Sequence, residues 1–425
     1  SVIPNNFKNF IDLKSFQIII GIFIISKLII FKYFFQIHSD FASYWQLSNL
    51  ELLEEDLFNT IKYLHMQQPL WNLFIGLILK VSNGDLIFAS RIILIFHWIF
   101  SLLILYIIKF YSEEFKLGLV GRNLVCLIFI FHPAIIFYEN LPYYPHLVVT
   151  LFSIGSLVLY KYFKEEKIIF EIYFYIILVI LIFLISAFIP LLIITFFAIF
   201  RIIDWKKNKN INLSKNIKIL IPVLLIAFLP YIKNYLVFGV FSKGTWSGLQ
   251  LSVTTTHIPN NQYFVLCGLG RTFGGSEDQL NKSIEEFFLK YKKDKNKLSH
   301  ASIIGNKSSR NNIGMIIRSQ WCLGKSLELI NQNKFLWTKG RVIEFLVPHT
   351  QLAIDYDIIE HPLGYKRIKE AKSKLYEIQN VKRFKQILVL AFMISIYLFL
   401  ILKILNKNNK TNLRLFYLTL LFLYG

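Results

Sequence analysis

The sequence predicts a mainly α-helical protein: a polytopic bundle of membrane helices carrying a mixed soluble segment on its outer face. Three observations predict it. Of the 425 residues, 55% are hydrophobic and only 17% charged, against about a quarter charged in an average water-soluble chain. Mean hydropathy is +0.51. Apolar runs fall at 16–36, 69–82, 86–110, 118–138, 146–163, 168–186, 188–203, 217–238, 386–405 and 413–425, and about 20 apolar residues suffice to cross a bilayer core.

The first run, Phe16 to Phe35, is too long for a signal-peptide core and lacks a small-residue cleavage site, so it reads as a retained anchor. The run at 69–82 is too short to span and reads as re-entrant or interfacial. That choice decides the topology, and loop charge tests it. With a cytoplasmic N-terminus and a non-spanning 69–82, the inside loops include 202–216, with Lys206, Lys207, Lys209 and Lys215, and 403–414, with Lys403, Lys407, Lys410 and Arg414. The outside turns at 139–145 and 186–190 carry only Glu139. This agrees with the positive-inside rule; a spanning 69–82 would turn the basic loops outward.

Three parts follow. Residues 1–238 form a transmembrane module, with a first outer loop at 37–85 bearing interfacial helices and a second outer turn at 139–145. Residues 239–385 form the outer-face, periplasmic segment. Residues 386–425 form C-terminal transmembrane helices, and a chain that stops inside an apolar run reads as a fragment with more helices beyond. In the soluble segment, Ser283 to Lys293 and Leu327 to Leu346 read as helices, and 294–313, rich in Asn, Lys and Ser, reads as a mobile loop. Net charge is +21. On a soluble chain this would suggest nucleic acid; here basic loops hold topology and touch anionic lipid, and no nucleic-acid partner is expected. Of three cysteines, Cys126 reads as core, while Cys267 and Cys322 share the soluble segment, where a disulfide is open to them.

The residues able to carry chemistry collect at the outer boundary. Asp40 lies in His38-Ser39-Asp40-Phe41-Ala42-Ser43-Tyr44-Trp45, just beyond the first helix. It marks either where the helix meets water or a functional group, since an ionisable residue is costly to place there. Glu139 lies in an aromatic- and proline-rich turn that includes Tyr143; it reads as a cap of the following helix or as a partner of Asp40. Two carboxylates at one interface can serve as base and orienting group, or hold a hard cation such as Mg2+ or Mn2+. Lys233 and Asn234 leave an apolar helix at the same side, where the lysine either snorkels to headgroups or holds a lipid phosphate. Trp246 sits in a polar loop and offers a face to a sugar, and Tyr44 is an interfacial anchor or a second such face. Arg271 follows Gly268-Leu269-Gly270, either solvated or in contact with a phosphate. Lys27, inside the first helix, reads as a snorkelling residue. His65, His132, His146 and His257 have no mutual metal-ligand spacing.

In order and spacing these features resemble the multi-spanning glycosyltransferases that use polyprenyl-phosphate sugars, the GT-C fold, whose members include protein O-mannosyltransferases and aminoarabinose transferases. The acid soon after helix one is Asp40. The Pro-Pro-Leu-Tyr-like segment is Gln68-Pro69-Leu70-Trp71-Asn72, the second acid is Glu139, and the Arg-Asn-Tyr-x-x-Phe-Gly segment is Lys233-Asn234-Tyr235-Leu236-Val237-Phe238-Gly239. Two departures stand out: lysine replaces arginine at 233, and Glu54-Glu55-Asp56 forms a rival acidic cluster.

The resemblance implies inverting transfer of a sugar from a polyprenyl-phosphate donor to a glycan, lipid or protein acceptor. Its setting would be the periplasmic face of a bacterial inner membrane. Asp40 would be the base, and Glu139 would orient the acceptor or hold a divalent ion. Lys233 and Arg271 would bind the donor phosphate, and Tyr44, Tyr143, Asn234 and Trp246 the substrates. The alternatives are a transporter or flippase for lipid-linked glycans, which would need polar residues between helices, and a catalytically silent relative.

Overall fold

The structure, a computed structural model, describes residues 5–33, 47–140, 143–165, 167–185, 189–208, 213–244, 247–255, 258, 285–286, 289 and 313–340. It is mainly helical, and no strand occurs among the described residues. The helices are α1 (Asn5–Tyr33), α2 (Leu50–Glu55), α3 (Leu57–Tyr63), α4 (Pro69–Val81), α5 (Leu86–Glu114), α6 (Leu119–Phe131), α7 (Pro133–Glu139), α8 (Pro145–Glu165), α9 (Ile168–Leu184), α10 (Leu191–Asn208), α11 (Leu213–Phe238), α12 (Ser247–Val253) and α13 (Ile313–Gln332).

Among the described residues, four helical stretches are long and apolar enough to cross a membrane: 14–32 of α1, all of α5 and α8, and 217–238 of α11. Helices α4, α6, α9 and the first part of α10 are apolar but shorter. The run expected at 118–138 is divided because Pro133 offers no N–H and disfavours helix in the residue before it. His132 is accordingly extended, with ψ 122°, and closes α6. Large apolar side chains such as Ile95, Val120, Leu225 and Leu236 face outward, as they would towards lipid.

Side-chain contacts set the helix directions. Ser15 donates to Asn123 and Lys27 to the Ile130 carbonyl, so α1 and α6 run the same way. Ser101 with His146, Tyr111 with Ser156, and Glu114 with Tyr160 make α5 and α8 run the same way. Arg122 meets Glu113, and His97 meets Glu139, so α6 and α7 run against α5. An aromatic core of Tyr162, Phe163, Phe174, Tyr175, Phe196 and Phe200 joins α8, α9 and α10. A second core packs Leu53 and Leu57 against Trp71, Ile75 and Ile78 of α4, Ile93 of α5 and Leu181 of α9.

Helix α4 stays at one end of the bundle. Ser48 touches its start through Asn72, and the Glu54 carboxylate lies beside Gly84 just past its end. At about 1.5 Å per residue, its 13 residues are too few to cross hydrocarbon. It is nevertheless no loose surface helix, because Trp71, Ile75 and Leu79 are buried.

Within the soluble segment the described residues are helical rather than mixed. Glu285, Glu286 and Leu289 fall in the helix expected at 283–293. The helix expected at 327–346 starts earlier, as α13, and is interrupted at Asn333 before a helical stretch at 334–340. The Asn333 amide donates to the Leu329 carbonyl at 3.0 Å, the local competition by which asparagine weakens a helix interior. Cys322 is disulfide-bonded and Cys126 is free and buried. Cys267, the 294–312 stretch and the C-terminal runs at 386–425 lie outside the described residues.

Helix α11 stops at Gly239, whose φ of 76° lies in the left-handed region. Its N–H still reaches the Tyr235 carbonyl at 2.8 Å. A side chain there costs about 1–2 kcal/mol, so Gly239→Ala lowers the unfolding midpoint in detergent by several degrees; an unchanged midpoint would contradict this geometry.

Candidate functional site

Two polar groupings flank the start of α4. The first is built where α11 stops. After Gly239 the chain doubles back, and the Asn234 amide holds it by donating to the carbonyls of Ser242 at 2.7 Å and Lys243 at 3.1 Å. That fold places Gly244 against the 64–68 segment: a Cβ on it would lie 3.1 Å from Gln68 Nε2 and 3.2 Å from the Met66 carbonyl. Phe238 is fully buried against His65, ring centroids 5.0 Å apart. Lys233 donates to the Leu64 carbonyl, and Lys243 to the Ile185 carbonyl. Two ammonium groups thus enter one largely buried region. Beside them α4 begins at Pro69, and its N-cap residue Gln68 makes no side-chain cap, so the helix start keeps its partial positive charge for a ligand. Burial pushes the Lys243 ammonium down from 10.5 to about 7.

The second grouping is built midway along α5, where α7 ends and α8 begins. Glu139 is 0% and Lys27 2% exposed, and they form an ion pair at 2.5 Å. Ser101 donates to the other Glu139 oxygen. His146 Nε2 is 2.8 Å from the same Ser101 hydroxyl. A hydroxyl has one proton to give, and the carboxylate receives it, so His146 must be the donor, with its proton on Nε2. His97 Nδ1 is 3.0 Å from the Glu139 backbone carbonyl. A carbonyl only accepts, so His97 carries its proton on Nδ1 and presents Nε2 as a bare acceptor. The arrangement is not a Ser–His–acid triad, because the acid touches the hydroxyl instead of orienting an imidazole.

The two groupings are linked through α4. Trp71 stacks on His97 with centroids 6.3 Å apart and planes 16° from parallel, and meets Tyr144 edge-on at 6.4 Å.

Of the residues selected from sequence, Lys233 and Asn234 stand together in the first grouping. The Asn234 amide nitrogen is already engaged by the chain's own carbonyls. Glu139, expected at a water boundary, has a fully buried side chain within the second grouping. Lys27 does not snorkel; it turns inward to meet that acid. Tyr143 meets Tyr144 at a tilt of 50°, ring centroids 4.5 Å apart, in the turn between α7 and α8. Asp40, Tyr44, Trp246 and Arg271 lie outside the described residues. Glu139 does not suit the role of ligand to Mg2+ or Mn2+, since Lys27 and Ser101 close both carboxylate oxygens. Among the described residues no group of three or more His, Cys, Asp or Glu is placed to hold a metal ion. Sequence reasoning passed over Ser101, His97 and Lys243. The available signal was polar residues interrupting apolar runs, at 27, 97, 101 and 146.

No family model, curated protein or solved structure matches this chain.

Removing one partner of a buried ion pair costs about 3–5 kcal/mol, because the other charge is stranded. Lys27→Met and Glu139→Gln therefore each destabilise the protein by that order in thermal unfolding, and the double variant recovers most of the loss; additive losses would show that the two side chains do not act as a pair. Lys243 gives a second test. Between about pH 7 and pH 10.5 the unfolded chain binds one more proton there than the folded chain, so stability rises with pH across that window. Lys243→Met reduces that slope, and an identical slope in variant and parent would refute the burial of this amine.

Proposed function

We propose that the protein is an integral membrane glycosyltransferase that moves a sugar from a polyprenyl-phosphate donor to an acceptor on the outer face, with inversion. One observation carries the proposal. Lys233 and Lys243 bring two buried ammonium groups to the uncapped start of α4, at the end of the bundle where chain segments gather. Buried cations beside a helix N-terminus suit a phosphate, and a lysine grips it as a point charge where arginine would bind through two hydrogen bonds. The order of sequence motifs supports the same reading.

In this mechanism Asp40 takes the proton of the acceptor nucleophile as it attacks the anomeric carbon. The bond from that carbon to the phosphate oxygen breaks, and its electron pair leaves with the polyprenyl phosphate. Lys233, Lys243 and Arg271 stabilise the charge that develops there, a stabilisation that counts most in a water-excluded site. Tyr44, Asn234 and Trp246 have the role of substrate contacts in this proposal. Glu139 works as a positioning group: clamped by Lys27 and Ser101, it anchors the turn that carries Tyr143 and Tyr144.

A second reading, a transporter for lipid-linked glycans, is favoured by the Lys27–Glu139–Ser101–His146 cluster, since ionisable groups between membrane helices often line ion or proton paths. One assay separates the two. Purified protein in nanodiscs, which hold no gradient, is given polyprenyl-phosphate sugars and the release of polyprenyl phosphate is followed. The enzyme releases it; Asp40→Asn abolishes release without loss of fold, and Lys233→Met with Lys243→Met lowers the rate by about 100-fold or more. Undiminished release by Asp40→Asn, or none by the parent protein, would overturn the proposal.

A further inference from the structure

Polar atoms that no protein group satisfies are concentrated around the first turn of α4. Both side-chain atoms of Gln68, the Trp71 indole N–H, the Ser48 hydroxyl oxygen and His97 Nε2 make no hydrogen bond, and all four residues are less than a tenth exposed. They are contiguous. The Ser48 backbone N–H donates to Asn72 Oδ1 at 2.7 Å, and Asn72 Nδ2 donates to the Gln68 carbonyl at 3.4 Å. Trp71 lies in the same turn, and its ring stacks on His97. Native interiors leave few such groups unpaired, so this set calls for partners from outside the chain.

The chemistry of the set selects the partner. His97 donates its Nδ1–H to the Glu139 carbonyl, so Nε2 can only accept. The Trp71 indole can only donate, while Gln68 and Ser48 can do both. A phosphate could answer only the donors and an ammonium only the acceptors. A hydroxyl answers either, and several hydroxyls on one ring answer the whole set. The rings of Trp71, Phe74 and Tyr144 border the set with apolar surface, as the C–H groups of a pyranose require. Gln68 also touches Gly244, next to Lys243, so the neutral set adjoins the cationic one.

We infer that Gln68, Trp71 and His97 form a subsite for the hydroxyls of the donor sugar, with His97 Nε2 accepting from one of them. Its location relative to the lipid phosphate rests on the transferase reading; its neutral, hydroxyl-selecting chemistry does not. The competing source of the same O–H chemistry is water.

The test uses the full chain in nanodiscs and equilibrium binding of decaprenyl phosphate, bare or bearing glucose or mannose. At least one sugar-bearing lipid binds more tightly than the bare lipid. His97→Asn keeps an amide to face the Glu139 carbonyl but has no atom at Nε2; it reduces that preference by about five- to tenfold, the worth of one hydrogen bond, and leaves bare-lipid affinity within about twofold. His97→Gln, whose amide reaches the Nε2 position, retains part of the preference. A preference unchanged by His97→Asn assigns the position to water and overturns the subsite, as does a parent protein that prefers neither sugar. If the parent binds no decaprenyl phosphate at all, the phosphate reading falls separately. The subsite is then judged with methyl glucoside and methyl mannoside by saturation-transfer NMR. A signal present in the parent and lost in His97→Asn upholds it, and no signal in the parent overturns it.

Discussion

A buried ion pair governs this architecture. A lone carboxylate as buried as Glu139 would be costly. Lys27 of α1 removes most of that cost by direct contact, and Ser101 of α5 supplies the remaining oxygen with a donor. Three helices are thereby tied to one side chain. Because Glu139 is the last residue of α7 and His146 the second of α8, the same knot holds both ends of the turn between them. The position of Tyr144 against Trp71, and of His97 beneath it, follows from that anchoring.

From this knot through the start of α4 to the two lysines the polar groups change character. At the knot there is a closed pair of opposite charges. Around the first turn of α4 there are neutral donors and acceptors bordered by aromatic rings. Beyond them Lys233 and Lys243 donate to main-chain carbonyls. Charge that is paired contributes structure; the neutral polar atoms that no protein group satisfies are the ones available to a ligand. Under the proposed function, a lipid phosphate carrying a sugar would place its charge near the lysines and its hydroxyls at the neutral turn.

Much of this was legible along the chain. The apolar runs located most helices because burial in lipid demands unbroken hydrophobicity, and Pro133 marks why one run became two helices. The Lys233-to-Gly239 stretch was visible as a motif, and its described residues have separate physical roles. Lys233 and Asn234 bind carbonyls, Phe238 packs on His65, and Gly239 ends the helix. Other features were misread. Lys27 looked like a snorkelling lysine because nothing local says which way a helix face turns. Glu139 looked water-exposed because a proline-rich turn between apolar runs usually is. Ser101 and His97 carried no signal as a pair, since their partners stand 38 and 42 positions away.

What the sequence alone determined is an apolar, sparsely charged chain with stretches long enough to cross a membrane, and with its helices, helix stops and the lysine–asparagine motif in their places. These follow from interactions within a turn or two of each residue. Only the tertiary structure decided that Lys27 faces Glu139, that His97 keeps a bare acceptor under Trp71, and that Lys243 joins Lys233. Each of those depends on the rotation and depth of one helix against another, which is set by the packing of whole faces and leaves no local trace in residue order.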